Sequence, residues 1–410
     1  MTPPEAMGPS EAAARVAQVA RASYGRLIGI LSAPGGDIAG AEDALSEALQ
    51  AALDRWPSSG LPDNPEAWLV RVARNKMTDA HRRALKQHPL PIEDHDLAMP
   101  DAPISPQPDP RLPLLFVCAH PGIAEPARGP LMLQAVLGFT AAEIARAYVT
   151  SPAAMSKQLV RAKDRIRANA IPFRIPEPHL RSDRLTDVAE AIYGCYALVW
   201  LDGPEADSIQ REAVYLADLL ATEIDDDPEV LGLSALLGFL HARRATRMQA
   251  GRYVPLAEQP TDLWDHGLIA AADTRLRRAF ALGRMGRFQI EAAIQSIHAA
   301  RARTGRTDWP ALLALYEGLV QLAPTLGALV GRAAVVGEVH GAAAGLAALD
   351  ALGDARLDRF QPYWATRAHL LARSGAGVAA QEAYDRAISL TVSAGSRAFL
   401  ISARARLGHH

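Results

Sequence analysis

From Asp37 to Arg83 the chain reads DIAGAEDALSEALQAALDRWPSSGLPDNPEAWLVRVARNKMTDAHRR, a pattern that predicts two amphipathic helices joined by a Trp-Pro loop. Ala41, Ala44, Leu45, Ala48, Leu49, Ala52, Leu53 and Trp56 recur at three- and four-residue steps, the spacing of one apolar helical stripe. Asp37 stands where an N-cap belongs. Glu42, Asp43, Ser46, Glu47 and Gln50 fall on the opposite face, so this helix offers an acidic, polar surface while its back packs inward. After the loop from Trp56 to Asp63, Asn64 as N-cap, Pro65 at the first helical position and Glu66 in the positive first turn open the second helix. Leu69, Val72, Ala73, Met77, Ala80 and Ala84 form its expected buried stripe, and Arg71, Arg74, Lys76, Arg82, Arg83 and Lys86 surround it with positive charge. An acidic helix followed by a basic one addresses two different partners.

Charged faces alone describe an ordinary solvated surface. The order and spacing of the motifs go further. Ala41 to Ala44, Trp56-Pro57, Asn64 to Leu69 and Ala73 to Arg83 resemble region two of bacterial extracytoplasmic-function sigma factors of the sigma-70 family. Ser46 departs from the Gln common there. The resemblance implies that Asp43 and Glu47, with Glu42, face the β′ coiled coil of core RNA polymerase. It also implies that Trp68, Arg71, Arg74, Asn75, Lys76, Arg82 and Arg83 lie toward the minus-ten promoter strand, and that the loop between Trp56 and Asn64 captures an unstacked base.

Working outward, residues 11–31 carry Ala13, Val16, Ala20, Tyr24, Leu27, Ile28 and Leu31 at helical spacing, ended by Pro34-Gly35-Gly36, which completes a bundle over 11–86 after a flexible start at 1–10. Residues 87–111, rich in Pro with Glu93, Asp94, Asp96 and Asp101, read as an extended acidic linker. Residues 112–171 form a second unit. Thr140 and Glu143 have capping-box spacing before a short helix, and Ser151-Pro152 open another whose inward residues are Met155, Leu159, Ala162 and Ile166. Ser156, Lys157, Arg161, Lys163, Arg165 and Arg167 are expected to point outward, the pattern of a helix-turn-helix with a basic second helix. It resembles region four of the same family, which binds the polymerase β flap and reads the minus-thirty-five element. That resemblance implies Ser156, Lys157 and Arg161 toward base edges, with Lys163 and Arg165 on phosphates. Upstream, Leu115-Phe116-Val117-Cys118-Ala119-His120-Pro121 resembles a subgroup signature in which a second Cys replaces Ala119. One thiol and one imidazole lack the ligands of a structural zinc site, so a buried Cys and a hydrogen-bonded His are expected.

Residues 179–410 continue as Ala/Leu-rich helical pattern without strand alternation. Trp364, Ala368, Leu371, Gly375, Ala380, Tyr384 and Ala387 occupy tetratricopeptide-like positions, and Ala334 and Gly341 lie one 34-residue period earlier. Such stacked pairs leave a concave surface for a protein or peptide segment. The stretch from Asp202 to Ala245 resembles the C-terminal extension of the same subgroup, where it controls or enables sigma activity. His241, Arg243, Arg244, Asp262, Trp264, Asp265, His266, His298, Asp308 and Trp309 supply titratable and aromatic groups, but no phosphate loop, metal-ligand spacing or nucleophile elbow accompanies them.

The chain has 410 residues, 49% of them hydrophobic and 21% charged, with a formal net charge of −2. Two to three domains follow, and any nucleic-acid affinity must come from local basic faces. Only Cys118 and Cys195 occur, which fits a reducing cytoplasm. Met1 to Ser10 lacks a cationic start and apolar core, and no eighteen apolar residues run together, so neither secretion nor a membrane partner is expected. The expectation is an all-α, three-part sigma factor: region-two bundle, region-four helix-turn-helix and tetratricopeptide-like regulatory domain. It has core RNA polymerase and promoter DNA as partners, and no catalytic residues, cofactor or metal. The alternative is a helix-turn-helix regulator with a peptide-binding repeat domain that never binds polymerase.

Overall fold

The computed structural model describes residues 8–87, 109–200 and 206–409, and these divide into two compact units between Leu198 and Val199. The acidic linker expected at 87–111 therefore falls almost wholly outside the described residues.

The first unit opens with α1 (Pro9–Ser32), α2 (Ile38–Ser59) and α3 (Pro65–Gln87). Asp37 caps α2 through Gly40 N–H, and Asn64 Oδ1 accepts from Ala67 N–H at 3.0 Å to start α3. Ala12, Val16, Leu27, Ile28 and Leu31 of α1 meet Ala41, Ala44, Leu45, Ala48, Ala52 and Trp56 of α2 in one core. Glu66, in the first turn of α3, accepts from Ser23 Oγ at 2.5 Å and Arg26 Nη1 at 2.6 Å, tying α3 to α1. On α3 the buried side chains are Leu69, Val70 and Ala73; Val72 and Met77 are half-buried and Ala80 is exposed, because the second half of the helix extends past the two that cover its start.

The chain resumes with α4 (Arg111–Cys118), α5 (Glu125–Ala135), α6 (Ala141–Ala147), α7 (Pro152–Ala168) and α8 (Pro178–Leu198). Both sequence-level caps form: Thr140 and Glu143 make a capping box on α6, and Ser151 caps α7 through Ala154 N–H. Between them Val149 adopts φ 52°, a left-handed turn residue that is 90% exposed. Although the C-terminal extension was expected from residue 179, its first helix, α8, packs on α4 and α5 within the first unit.

The second unit contains α9 (Ala206–Glu223), α10 (Pro228–Ala242), α11 (His266–Ala281), α12 (Arg287–Thr304), α13 (Trp309–Leu322), α14 (Leu326–His340), α15 (Ala342–Asp350), α16 (Gln361–Arg373), α17 (Gly377–Leu390) and α18 (Ala394–Ala405). α10, buried nearly all round, is its axis and is flanked by α9, α11 and α12. Glu229 on α10 accepts from Phe288 and Gln289 N–H at 3.0 and 3.2 Å, capping α12 from outside. The expectation of helical pattern over 179–410 without strands, which took one helix from Pro228 to Gln249, is corrected here. The helical pattern over 228–249 ends at Ala242, and β1 (Met248–Gln249) and β2 (Arg252–Tyr253) form a minimal antiparallel hairpin. Ala250 and Gly251 both have positive φ, the turn whose twist suits paired strands, and a two-residue ladder leaves too short a stretch to show alternation. Further on, Gly341 (φ 90°) separates α14 from α15 and Gly375 (φ 81°) stands between α16 and α17. Ala368, Tyr384 and Ala387 are buried together, with Trp364 and Leu371 packed against them.

Candidate functional site

The acidic face of α2 and the basic face of α3 are neighbours. Asp43 and Glu47 are exposed, as are Arg71, Asn75, Arg82 and Arg83. Lys76 meets Glu47 at 3.0 Å, an exposed pair of the kind worth at most about 1 kcal/mol. Arg74 is half-buried and its Nε has no partner among the described residues. Trp68 is half-buried with its ring at 5.6 Å and 65° to that of Trp56, an edge-to-face contact that holds it against the bundle. Trp56 itself is 1% exposed, so the Trp-Pro pair is a core anchor. Since α2 runs on to Ser59 through Pro57, the connection to α3 is shorter than the sequence suggests, only 60–64.

Two predicted site residues lie elsewhere than expected. Lys163 was placed outward on the second helix and Glu42 on the acidic face, yet Lys163 Nζ and Glu42 Oε2 are 2.5 Å apart, with side chains 8% and 20% exposed. Lys163 stands next to Ala162 and four residues past Leu159 on the buried stripe, and it enters the interior because Glu42 offers it a carboxylate there. Burial raises the Glu42 carboxyl above its ordinary range, opposed by Lys163, and the Tyr24 hydroxyl adds a hydrogen bond. Cys118 is fully buried close by, the buried Cys expected from the sequence, and burial pushes its thiol up. His120 accepts from Gly122 N–H at Nδ1 over 3.0 Å, the hydrogen-bonded imidazole expected from the sequence.

The other α7 residues come together on one side. Lys157, Arg161 and Arg165, all exposed, line a cleft of about 840 Å³ opposite 121–128, and Ser156 is exposed beside them. Arg128, which sequence reasoning missed, joins this cleft from α5 while bonded to Asp187 of α8 at 2.8 Å. Its signal was faint: one Arg in the first turn of a helix that begins Glu125-Pro126, with no second basic residue on that helix to mark a face.

In the second unit, Trp264, Asp265 and Asp308, three of the residues that suggested a separate site, hold the fold. Asp265 caps α11 and Asp308 caps α13. Trp264 Nε1 donates to Thr246 Oγ1 at 3.1 Å, and Arg301 donates to the carbonyls of Leu256 and Gln259 at 2.7 and 2.9 Å, fastening the irregular segment after α10. Asp225 pairs with Arg278 and Asp227 caps α10, so the acidic turn at 225–227 is engaged within its own unit.

Comparison with known proteins agrees with the first unit. The family model for Sigma-70 region 2 matches residues 19–87, the stretch that holds most of α1 and all of α2 and α3. The chain is a sigma-70 family factor with a C-terminal extension. That extension is matched over residues 184–280 by a family of unknown function, DUF6596. The sigma factor also belongs to one family with an uncharacterized protein, R00370, of Rhizobium meliloti (strain 1021), 36% identical over 382 residues, or 90% of this chain and 89% of the relative. No solved structure matches it. Region two assigns the sigma factor to transcription initiation with core RNA polymerase and promoter DNA. Among the described residues no helix is long and apolar enough to cross a membrane.

Proposed function

We propose that this sigma factor is of the extracytoplasmic-function type. It holds the β′ coiled coil with Asp43 and Glu47, joined by Glu42 when that residue is released, and melts the minus-ten element with Trp68, Arg71, Arg74, Asn75, Lys76, Arg82 and Arg83. The observation that carries this reading is the pairing of an exposed acidic face on α2 with an exposed basic face on α3 inside the matched region-two segment. α6 and α7 act as a helix-turn-helix on the minus-thirty-five element. Ser156, Lys157 and Arg161 approach bases, and Arg165 with Arg128 approaches phosphates, with Lys163 available once unpaired; the cationic cleft supports this use. The repeated helix–Gly–helix arrangement at Gly341 and Gly375 supports a tetratricopeptide-like extension that takes a protein or peptide segment and thereby regulates the factor.

The deciding experiment is co-purification of the full chain with bacterial core polymerase, comparing wild type with Asp43→Arg/Glu47→Arg. Stoichiometric binding that the double variant loses is the expected result; no binding by wild type removes the sigma reading in favour of a polymerase-independent regulator. A second expectation concerns the cleft. Each phosphate contact releases condensed counterions, so Lys157→Ala lowers the slope of log affinity against log salt by about 1 for minus-thirty-five duplex DNA. A slope unchanged by the substitution removes Lys157 from the interface.

A further inference from the structure

The first helix of the C-terminal extension lies against the elements that carry the cationic cleft. α8 packs on α4 and α5, and its buried side chains Leu185, Val188, Ala189, Ile192 and Cys195 recur at the three- and four-residue steps of one helical face. Asp187, half-buried at the margin of that face, stands opposite Arg128 of α5.

Arg128 is held at both ends of its guanidinium. Nε donates to the Ile123 carbonyl at 3.0 Å, and Nη1 donates to Asp187 Oδ2 at 2.8 Å. Nη2 has no protein partner among the described residues, and Arg128 lines the cleft opposite Lys157, Arg161 and Arg165 of α7. The α7 cations are exposed and make no ion pair among the described residues. A free arginine loses rotamer freedom when it meets a phosphate; a guanidinium already fixed by its neighbours loses less, so its open edge binds at a smaller entropic cost. The Asp187 carboxylate does not cancel the positive charge of this wall. Arg184, one turn earlier on α8, is a second guanidinium there: burial, Arg184 and Arg128 together hold the His120 imidazole below its ordinary range. Arg184 Nε is buried without a hydrogen-bond partner among the described residues.

We propose that Asp187 is a positioning residue for minus-thirty-five DNA: from the first helix of the extension it fixes Arg128 so that the open edge of the guanidinium meets a backbone phosphate. The extension then forms part of the promoter-reading surface and is not merely attached to it. The proposal rests on the minus-thirty-five reading of α6 and α7 given above.

The sign of one effect decides the test. A carboxylate that only stands near a polyanion repels it, so its removal strengthens binding; one that positions an arginine weakens binding when it is removed. Affinity of the full chain for minus-thirty-five duplex DNA, measured across a salt series, should fall several-fold in Asp187→Asn. Its slope of log affinity against log salt should move toward that of Arg128→Ala, which is expected to lie below wild type by about 1. Asp187→Glu keeps the charge and should recover most of the affinity. In an Arg128→Ala background, Asp187→Asn should cause no further weakening. Tighter binding by Asp187→Asn, or equal weakening with and without Arg128, overturns the proposal. Lys157→Ala separates the two readings. If it weakens binding while Asp187→Asn does not, positioning alone falls; if neither it nor Arg128→Ala changes the affinity, or wild type does not bind, the minus-thirty-five reading falls and the proposal with it.

Discussion

Trp56→Ala is expected to destabilise the first unit by about 3–5 kcal/mol, the usual cost of emptying a core tryptophan site. The indole is 1% exposed, lies at the end of the α2 stripe and packs edge-on against Trp68 across the α2–α3 connection. Removing it opens a cavity where the two helices converge and releases Trp68, so the damage extends to the face assigned to minus-ten DNA. Trp56→Phe separates packing from chemistry. Trp56 Nε1 is buried without a hydrogen-bond partner among the described residues, and a buried unmet donor costs about 1–3 kcal/mol. Phenylalanine removes that donor while keeping most of the ring, so its net effect should fall near or below about 1.5 kcal/mol. Hydrogen exchange followed in peptides from α2 and α3 reads both values. Equal losses for Ala and Phe would mean that the indole N–H is satisfied and that the site is polar, contrary to the packing described.

Acid should loosen the second unit well before its carboxylates are protonated. Burial, with Arg244 nearby, lowers the His241 imidazole to about 4, and burial with Arg243 and Arg301 nearby does the same for His298. Both are neutral in the folded state at neutral pH. A histidine whose folded pKa is depressed binds its proton first in the unfolded chain, near pH 6.5, so stability falls as pH drops from about 6.5 and the loss levels off below about 4. Each group contributes about 1.4 kcal/mol per pH unit inside that window. His298→Gln should therefore flatten the pH dependence of exchange protection in α10 and α12 by about that slope, leaving protection at pH 8 nearly unchanged. A parallel curve for wild type and variant would exclude His298 as a source of acid sensitivity.

Most of the local structure was legible in the chain. Asp37, Asn64, Thr140, Glu143 and Ser151 announced helix starts, and each does cap, because a cap is decided by residues within three or four positions of one another. The stripes of α1, α2, α3 and α7 were visible for the same reason, with errors at their margins such as Ala12 in place of Ala13 on α1 and Val70 in place of Val72 on α3. The acidic face of α2 and the basic face of α3 could be read from spacing, and the family from ordered motifs.

The site's long-range pairings were not legible. Glu42 and Lys163 are 121 positions apart, and Arg128 and Asp187 are 59 apart. A helical wheel shows which face a residue occupies, but it cannot show which other helix covers that face. Lys163 borders the buried stripe of α7, where its long stem could turn either way, and only the nearby Glu42 carboxylate determined that it turned inward. The hairpin at Ala250-Gly251 escaped notice because two-residue strands have no period to detect. The sequence by itself determined the helices, their caps and the opposed charged faces, all consequences of short-range periodicity, and its ordered motifs carried the resemblance to the sigma-70 family. Only the tertiary structure decided that α7 lies against α2 and that Lys163 meets Glu42 there, because burying a charge depends on what distant segment arrives to meet it.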